Sequence, residues 1–232
     1  MYEEGVQQYL TAKRIASRRL LGRQGARAAC FKPHELPSNG EIRRALLRVA
    51  ELAEGPRRRA RLFAMRVVAL ETMRGLSQLS PRLIGSVASG HVRRGSDIDL
   101  HVFTPGDAAS TPDAGPLVSR LTALAWPHTL RTVVIRKFGQ LREFTHVDVD
   151  RGFRVELSVY PLADLRAVQR SSVDGRPIDR VSAPRLRALI ELEHADEWAR
   201  YLETGALPEL ASLLAGDDEA PGPYDGLLAD QG

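Results

Sequence analysis

Asp97, Asp99 and His101 occupy alternate positions in Asp97-Ile98-Asp99-Leu100-His101-Val102-Phe103. In an extended strand that alternation sets the three polar side chains on one face and Ile98, Leu100 and Val102 on the other. Two carboxylates on one face raise each other's pKa, and a divalent cation between them removes the repulsion. Mg2+ takes carboxylate oxygens and keeps water or phosphate as its other ligands; Mn2+ shares that taste for oxygen. Just upstream, Leu83-Ile84-Gly85-Ser86 reads as the end of a strand followed by a turn into a helix. The free N–H groups of such a turn, with the serine hydroxyl, bind phosphate. Ten residues, 87–96, separate this cradle from the carboxylate pair. A phosphate cradle beside a metal-binding pair suits phosphoryl transfer, where metal ions stabilise the attacking and leaving oxygens.

Ile84-Gly85-Ser86, the ten-residue gap and Asp97-Ile98-Asp99-Leu100 together resemble the signature of the DNA polymerase beta-like nucleotidyltransferase superfamily. That signature is a hydrophobic residue, Gly, Gly or Ser, a spacer of this order, then Asp-hydrophobic-Asp/Glu-hydrophobic. The resemblance covers residues 60–165 and implies an α+β fold with a mixed sheet of about five strands and helices packed around it. It also implies a third carboxylate on a later strand. Glu156, in Arg154-Val155-Glu156-Leu157-Ser158, matches best, although many family members have Asp there. Asp148 competes for the role, and Asp150 begins a turn where Asp is locally favoured. On this resemblance Asp97, Asp99 and Glu156 hold Mg2+ or Mn2+ and carry catalysis. Gly85, Ser86, Arg93, Arg94 and Ser96 contact the nucleotide, with an exposed loop the competing reading for Arg93 and Arg94.

The implied reaction moves a nucleoside monophosphate from an NTP to an acceptor hydroxyl and releases pyrophosphate. The acceptor stays open among a small molecule, a nucleotide, a protein and a nucleic-acid end. Two other functions fit the same fold: a non-catalytic nucleotide- or nucleic-acid-binding regulator, and the protein-modifying antitoxin of a toxin–antitoxin pair. His101 reads as a structural histidine, and Tyr160 and Trp126 read as core. His34, His128 and His194 lack metal-ligand spacing.

The elements that position these residues follow from hydrophobic period and turn chemistry. Residues 3–22 read as a basic helix and 22–40 as a connector. Ser38-Asn39-Gly40-Glu41 starts a second helix that stops near Gly55-Pro56. A third begins at Pro56, with Leu62, Val67, Leu70 and Met73 inward. Arg57, Arg58, Arg59 and Arg61 oppose the helix dipole at its start and are expected in solvent. Strands are expected at 82–84, 97–103, 130–136, 143–149 and 153–160, the last two joined as a hairpin through Asp150-Arg151-Gly152. Short helices are expected at 117–126, 162–169 and 208–214, and one long helix at 183–202. The organisation is thus a basic helical extension (1–55), a nucleotidyltransferase core (56–165), a C-terminal helical region (166–216) and an acidic disordered tail (217–232).

Composition limits the alternatives. The 232 residues are 43% hydrophobic and 27% charged, which is ordinary for a packed domain. The lone cysteine, Cys30, rules out an internal disulfide framework and a cysteine zinc cluster. No apolar run is long enough for a membrane helix, and Met-Tyr-Glu-Glu does not begin a secretory signal, so a cytoplasmic location is expected. The net charge of +4 is uneven: residues 1–80 hold 16 basic and 7 acidic side chains, leaving 17 and 22 for the remainder. A basic end of that kind can meet phosphate or remain a solvated face.

Overall fold

The computed structural model describes residues 9–28, 36–105, 112–137, 140–168, 170, 177–208 and 213. The expected acidic tail, most of the 208–214 helix, Cys30 and His34 lie outside the described residues. Among those described, seven α-helices and five strands follow one another: α1 (Tyr9–Ala28), α2 (Asn39–Glu54), α3 (Pro56–Gly75), β1 (Arg82–Ile84), α4 (Gly85–Ser89), β2 (Ile98–Thr104), α5 (Gly115–Ala123), β3 (His128–Lys137), β4 (Gln140–Asp150), β5 (Arg154–Pro161), α6 (Ala183–Glu193) and α7 (Ala195–Thr204). The strands make one mixed sheet in the order β1-β2-β5-β4-β3, so the expected α+β class with a mixed five-stranded sheet is present. Only β2 and β5 pair in parallel, and the other neighbours are antiparallel.

One face of the sheet makes the core. Leu83, Ile98, Leu100, Val102, Val147, Val149, Val155, Leu157 and Val159 are buried in a cluster with α3, α5 and α6. Strand β5 shows the cause, since its buried Val155, Leu157 and Val159 alternate with half-buried Glu156, Ser158 and Tyr160. Burying the apolar set sends the polar set to the opposite face.

Helix α2 begins as its sequence indicates. Ser38 and Glu41 form a capping box, Ser38 Oγ accepting from the Glu41 N–H and Glu41 Oε2 accepting from the Ser38 N–H. Four expectations change. The first helix runs on to Ala28, into the expected connector. Helix α3 is buried on all sides from Arg61 to Leu70, rather than along one stripe. Arg57 and Arg59 are exposed, as expected, with Arg59 donating to Glu197, whereas Arg58 and Arg61 are fasteners: Arg58 donates to the Val92 and Gly90 carbonyls, and Arg61 to Glu54 and the Leu213 carbonyl. The long C-terminal helix is two helices. They break at His194, whose backbone (φ −138°, ψ 43°) leaves the helical region.

Candidate active site

The register of the sheet assembles the polar face. Ile84 lies opposite Asp99, Asp99 opposite Glu156, Glu156 opposite Asp148 and Asp148 opposite Thr129. Asp99, Glu156 and Asp148 therefore stand abreast on three neighbouring strands, spaced by roughly 4.8 Å per strand. Asp97, two residues before Asp99, adds a fourth carboxylate at the edge of the row. The sequence places Asp97 and Asp99 together by alternation; only strand pairing brings Glu156 and Asp148 to them.

Gly85 is the closest approach of the upstream turn to this row. Its φ is +72°, and a Cβ there would overlap Asp99 Oδ2. Glycine is thus required twice, by the backbone and by the carboxylate against it. Gly85-Ser86 opens α4, as expected. The N-cap residue Ile84 supplies no side-chain hydrogen bond to the first amides. The 93–96 segment behaves otherwise. The Arg93 N–H donates to Ser96 Oγ (3.0 Å), the Ser96 N–H donates to the Arg93 carbonyl (3.0 Å), and the Arg94 N–H donates to Glu54 (2.7 Å). Ser96 thus closes a turn. The Arg94 backbone is a clasp on the end of α2.

The four carboxylates differ in their partners. Asp99 receives no hydrogen bond or ion pair among the described residues. Burial first, then the charges of Glu156 and Asp97, push its pKa up to about 7. Burial also raises Asp97, against the pull of Arg154 at 3.4 Å. Asp148 is held by two guanidinium groups, Arg131 Nε at 2.6 Å and Arg154 Nη2 at 3.1 Å; these bonds outweigh its desolvation and lower its pKa. Glu156 accepts from Arg131 Nη2 (3.1 Å) and lies 3.0 Å from His146 Nδ1, a bond that holds it ionised. Ser158 Oγ is also 3.1 Å from His146 Nδ1. Serine and carboxylate thus meet the same ring nitrogen, whereas a hydrolytic relay needs them on opposite nitrogens.

Asp97 and Asp99 suit a hard cation by donor chemistry, because Asp99 offers open oxygens and gains most from a positive charge. Among the described residues, no three His, Cys, Asp or Glu side chains already enclose a metal site. Mg2+ does not need such a cage, since one or two carboxylates serve when water and phosphate fill the remaining positions. The expected third ligand, Glu156, stands beside Asp99 but is turned to His146 and Arg131. His146, Arg131 and Arg154 did not stand out in the sequence; their signal was alternation on the face shared with Asp148 and Glu156. His101 is buried against Tyr160, ring centroids 4.5 Å apart, and burial lowers its pKa to about 3. Trp126 packs on the core edge beneath the Arg151 guanidinium, 4.1 Å from the ring centroid.

No helix among the described residues is long and apolar enough to cross a membrane. No family model, no curated protein and no solved structure matches the chain, so the sheet and the row of carboxylates across it carry the functional argument.

Proposed function

We propose that the protein is an Mg2+-dependent nucleotidyltransferase, acting in the cytoplasm on an NTP and an acceptor hydroxyl. One observation carries this reading: the Gly85 turn abuts Asp99, the carboxylate with the strongest unmet demand for positive charge. The turn read here as a phosphate cradle and Asp99 of the pair read as cation ligands, ten spacer residues apart in the chain, are thus neighbours, which supports the reading.

In this reading Asp97 and Asp99 hold Mg2+, with Mn2+ a substitute, and Glu156 borders them. The cation, when bound, neutralises charge on the triphosphate and on departing pyrophosphate. The amides at Gly85 and Ser86 and the Ser86 hydroxyl hold the triphosphate, with Arg93 and Arg94 beside them on the loop. The acceptor reaches the α-phosphorus from the β5–β4 side, where the polar face continues through Glu156, Ser158 and His146. Its chemical class remains among small molecules, nucleotides, proteins and nucleic-acid ends.

Calorimetric titration with Mg-NTP tests the site. The wild type binds, and the Asp97→Ala, Asp99→Ala double variant loses measurable affinity while retaining its far-UV spectrum. Equal affinity in the two proteins would remove the cation from this pair.

A further inference from the structure

We propose that His146 is the general base that takes the acceptor's proton, and that Glu156 positions it. This assignment rests on the nucleotidyl-transfer reading, and it gives Glu156 a different part from that of a metal ligand.

The geometry carries it. His146 on β4 and Glu156 on β5 are diagonal neighbours, since His146 lies opposite Ser158 and Glu156 opposite Asp148. The His146 Nδ1 to Glu156 Oε1 distance is 3.0 Å. Arg131 Nη2, at 3.1 Å from the other oxygen of Glu156, favours the ionised carboxylate. An ionised carboxylate only accepts, so the proton between these atoms belongs to Nδ1. The Ser158 hydroxyl, 3.1 Å away, can accept from the same N–H. In the neutral ring with its proton on Nδ1, the lone pair lies on Nε2. No hydrogen bond reaches Nε2 among the described residues, and the side chain keeps 19% of its surface exposed.

Position suits the role as well. His146 lies two strands across and two residues along the sheet from Asp99, a separation of about 12 Å. That span accommodates a phosphoryl group and an acceptor oxygen between the cation-binding pair and the imidazole. The step balances. The acceptor O–H proton passes to Nε2, and the freed oxygen electron pair forms the bond to the α-phosphorus. The bond from that phosphorus to its bridging oxygen breaks, and pyrophosphate leaves with the pair. The imidazolium formed is stabilised by Glu156 and returns its proton to water.

Two measurements on the full chain test the assignment. Long-range 1H–15N correlation on 15N-histidine-labelled protein at pH 8 reads the tautomer without any substrate. A proton on Nδ1, with that preference lost in Glu156→Gln, supports the pair; a proton on Nε2 overturns it. The second measurement supplies α-labelled ATP, GTP, CTP and UTP with Mg2+ and cell extract, following label transfer and pyrophosphate release. His146→Asn keeps an N–H for Glu156 but has no basic nitrogen. It is expected to lower kcat by about 10²–10⁴-fold with KM for Mg-NTP within about threefold of wild type. Wild-type kcat in His146→Asn overturns the proposal. A wild type that binds Mg-NTP yet labels no acceptor in any extract overturns nucleotidyl transfer and the base role with it. The tautomer result separates failure of the pair from failure of that reading.

Discussion

A carboxyl group poised near neutrality and flanked by two others exchanges its proton readily for a cation. Asp99 is in that state, with its pKa raised to about 7 by burial and by Glu156 and Asp97. The folded protein therefore binds a proton at Asp99 that the unfolded chain, with an ordinary carboxylate, releases near pH 4. The sign follows: Asp99 contributes stability that is present below about pH 4 and is lost as pH rises to about 7 and beyond. Asp99→Asn removes the charge without removing volume. Without metal, its melting temperature is expected to match wild type near pH 4 and exceed it at pH 8, while Mg-NTP binding disappears. A variant less stable than wild type at pH 8 would contradict the unmet charge at this position. At this scale the sequence was informative because Asp99 and Glu156 sit at strand positions whose alternation fixes their faces, with Asp97 one residue ahead of its strand. It was silent on Arg131, Arg154 and His146. An arginine or histidine on a strand has no partner until register supplies one across the sheet.

Helix α3 shows how an element outside the carboxylate row positions the segments around it. Arg66 is 1% exposed at the middle of this helix. Its Nη1 donates to Glu193 of α6 (2.7 Å), and its Nε to the Val87 carbonyl of α4 (3.3 Å). One guanidinium thus ties the helix that opens with Gly85-Ser86 to the C-terminal helices. Arg66→Ala leaves a cavity and an unpaired carbonyl. It is expected to cost about 2–4 kcal/mol, read as a fall in melting temperature of roughly 5–15 °C for a chain of this size. A thermal shift below about 2 °C would show that α4 is held by other contacts. The sequence pattern suggested solvated arginines at the start of α3, because cations there oppose the helix dipole. At Arg58 and Arg61, tertiary contacts with Gly90, Val92 and Glu54 reverse that balance, while Arg57 and Arg59 stay exposed. The break between α6 and α7 was hidden for a related reason. Buried Leu186, Ile190, His194 and Trp198 keep a spacing of four residues straight through it.

Across the whole molecule, pH acts through buried groups of opposite sense. His101 is buried on the polar face, and burial first, then Arg180 and His146, lower its pKa to about 3. The unfolded chain takes up that proton near pH 6.5 and the folded chain does not, so stability falls as pH drops from about 6.5 toward 3. His194 is also buried and lowered, and adds to the same loss. Asp99 acts in the other direction between about 4 and 7, so the two buried residue types oppose each other in the acidic range. His101→Phe keeps a ring against Tyr160 and removes the titration. Its melting temperature is expected to fall less steeply than that of wild type between pH 6.5 and 4. Parallel profiles for the two proteins would show that His101 is protonated in the fold. By itself the sequence determined the α+β class, the strands that carry Asp99 and Glu156, and the Gly85-Ser86 turn ahead of them. Period, capping and turn chemistry are local, so they survive in a one-dimensional string. The tertiary structure decided which strands are neighbours. That order stands Asp99, Glu156 and Asp148 abreast and turns Glu156 to His146, because each is a contact between residues far apart in the chain.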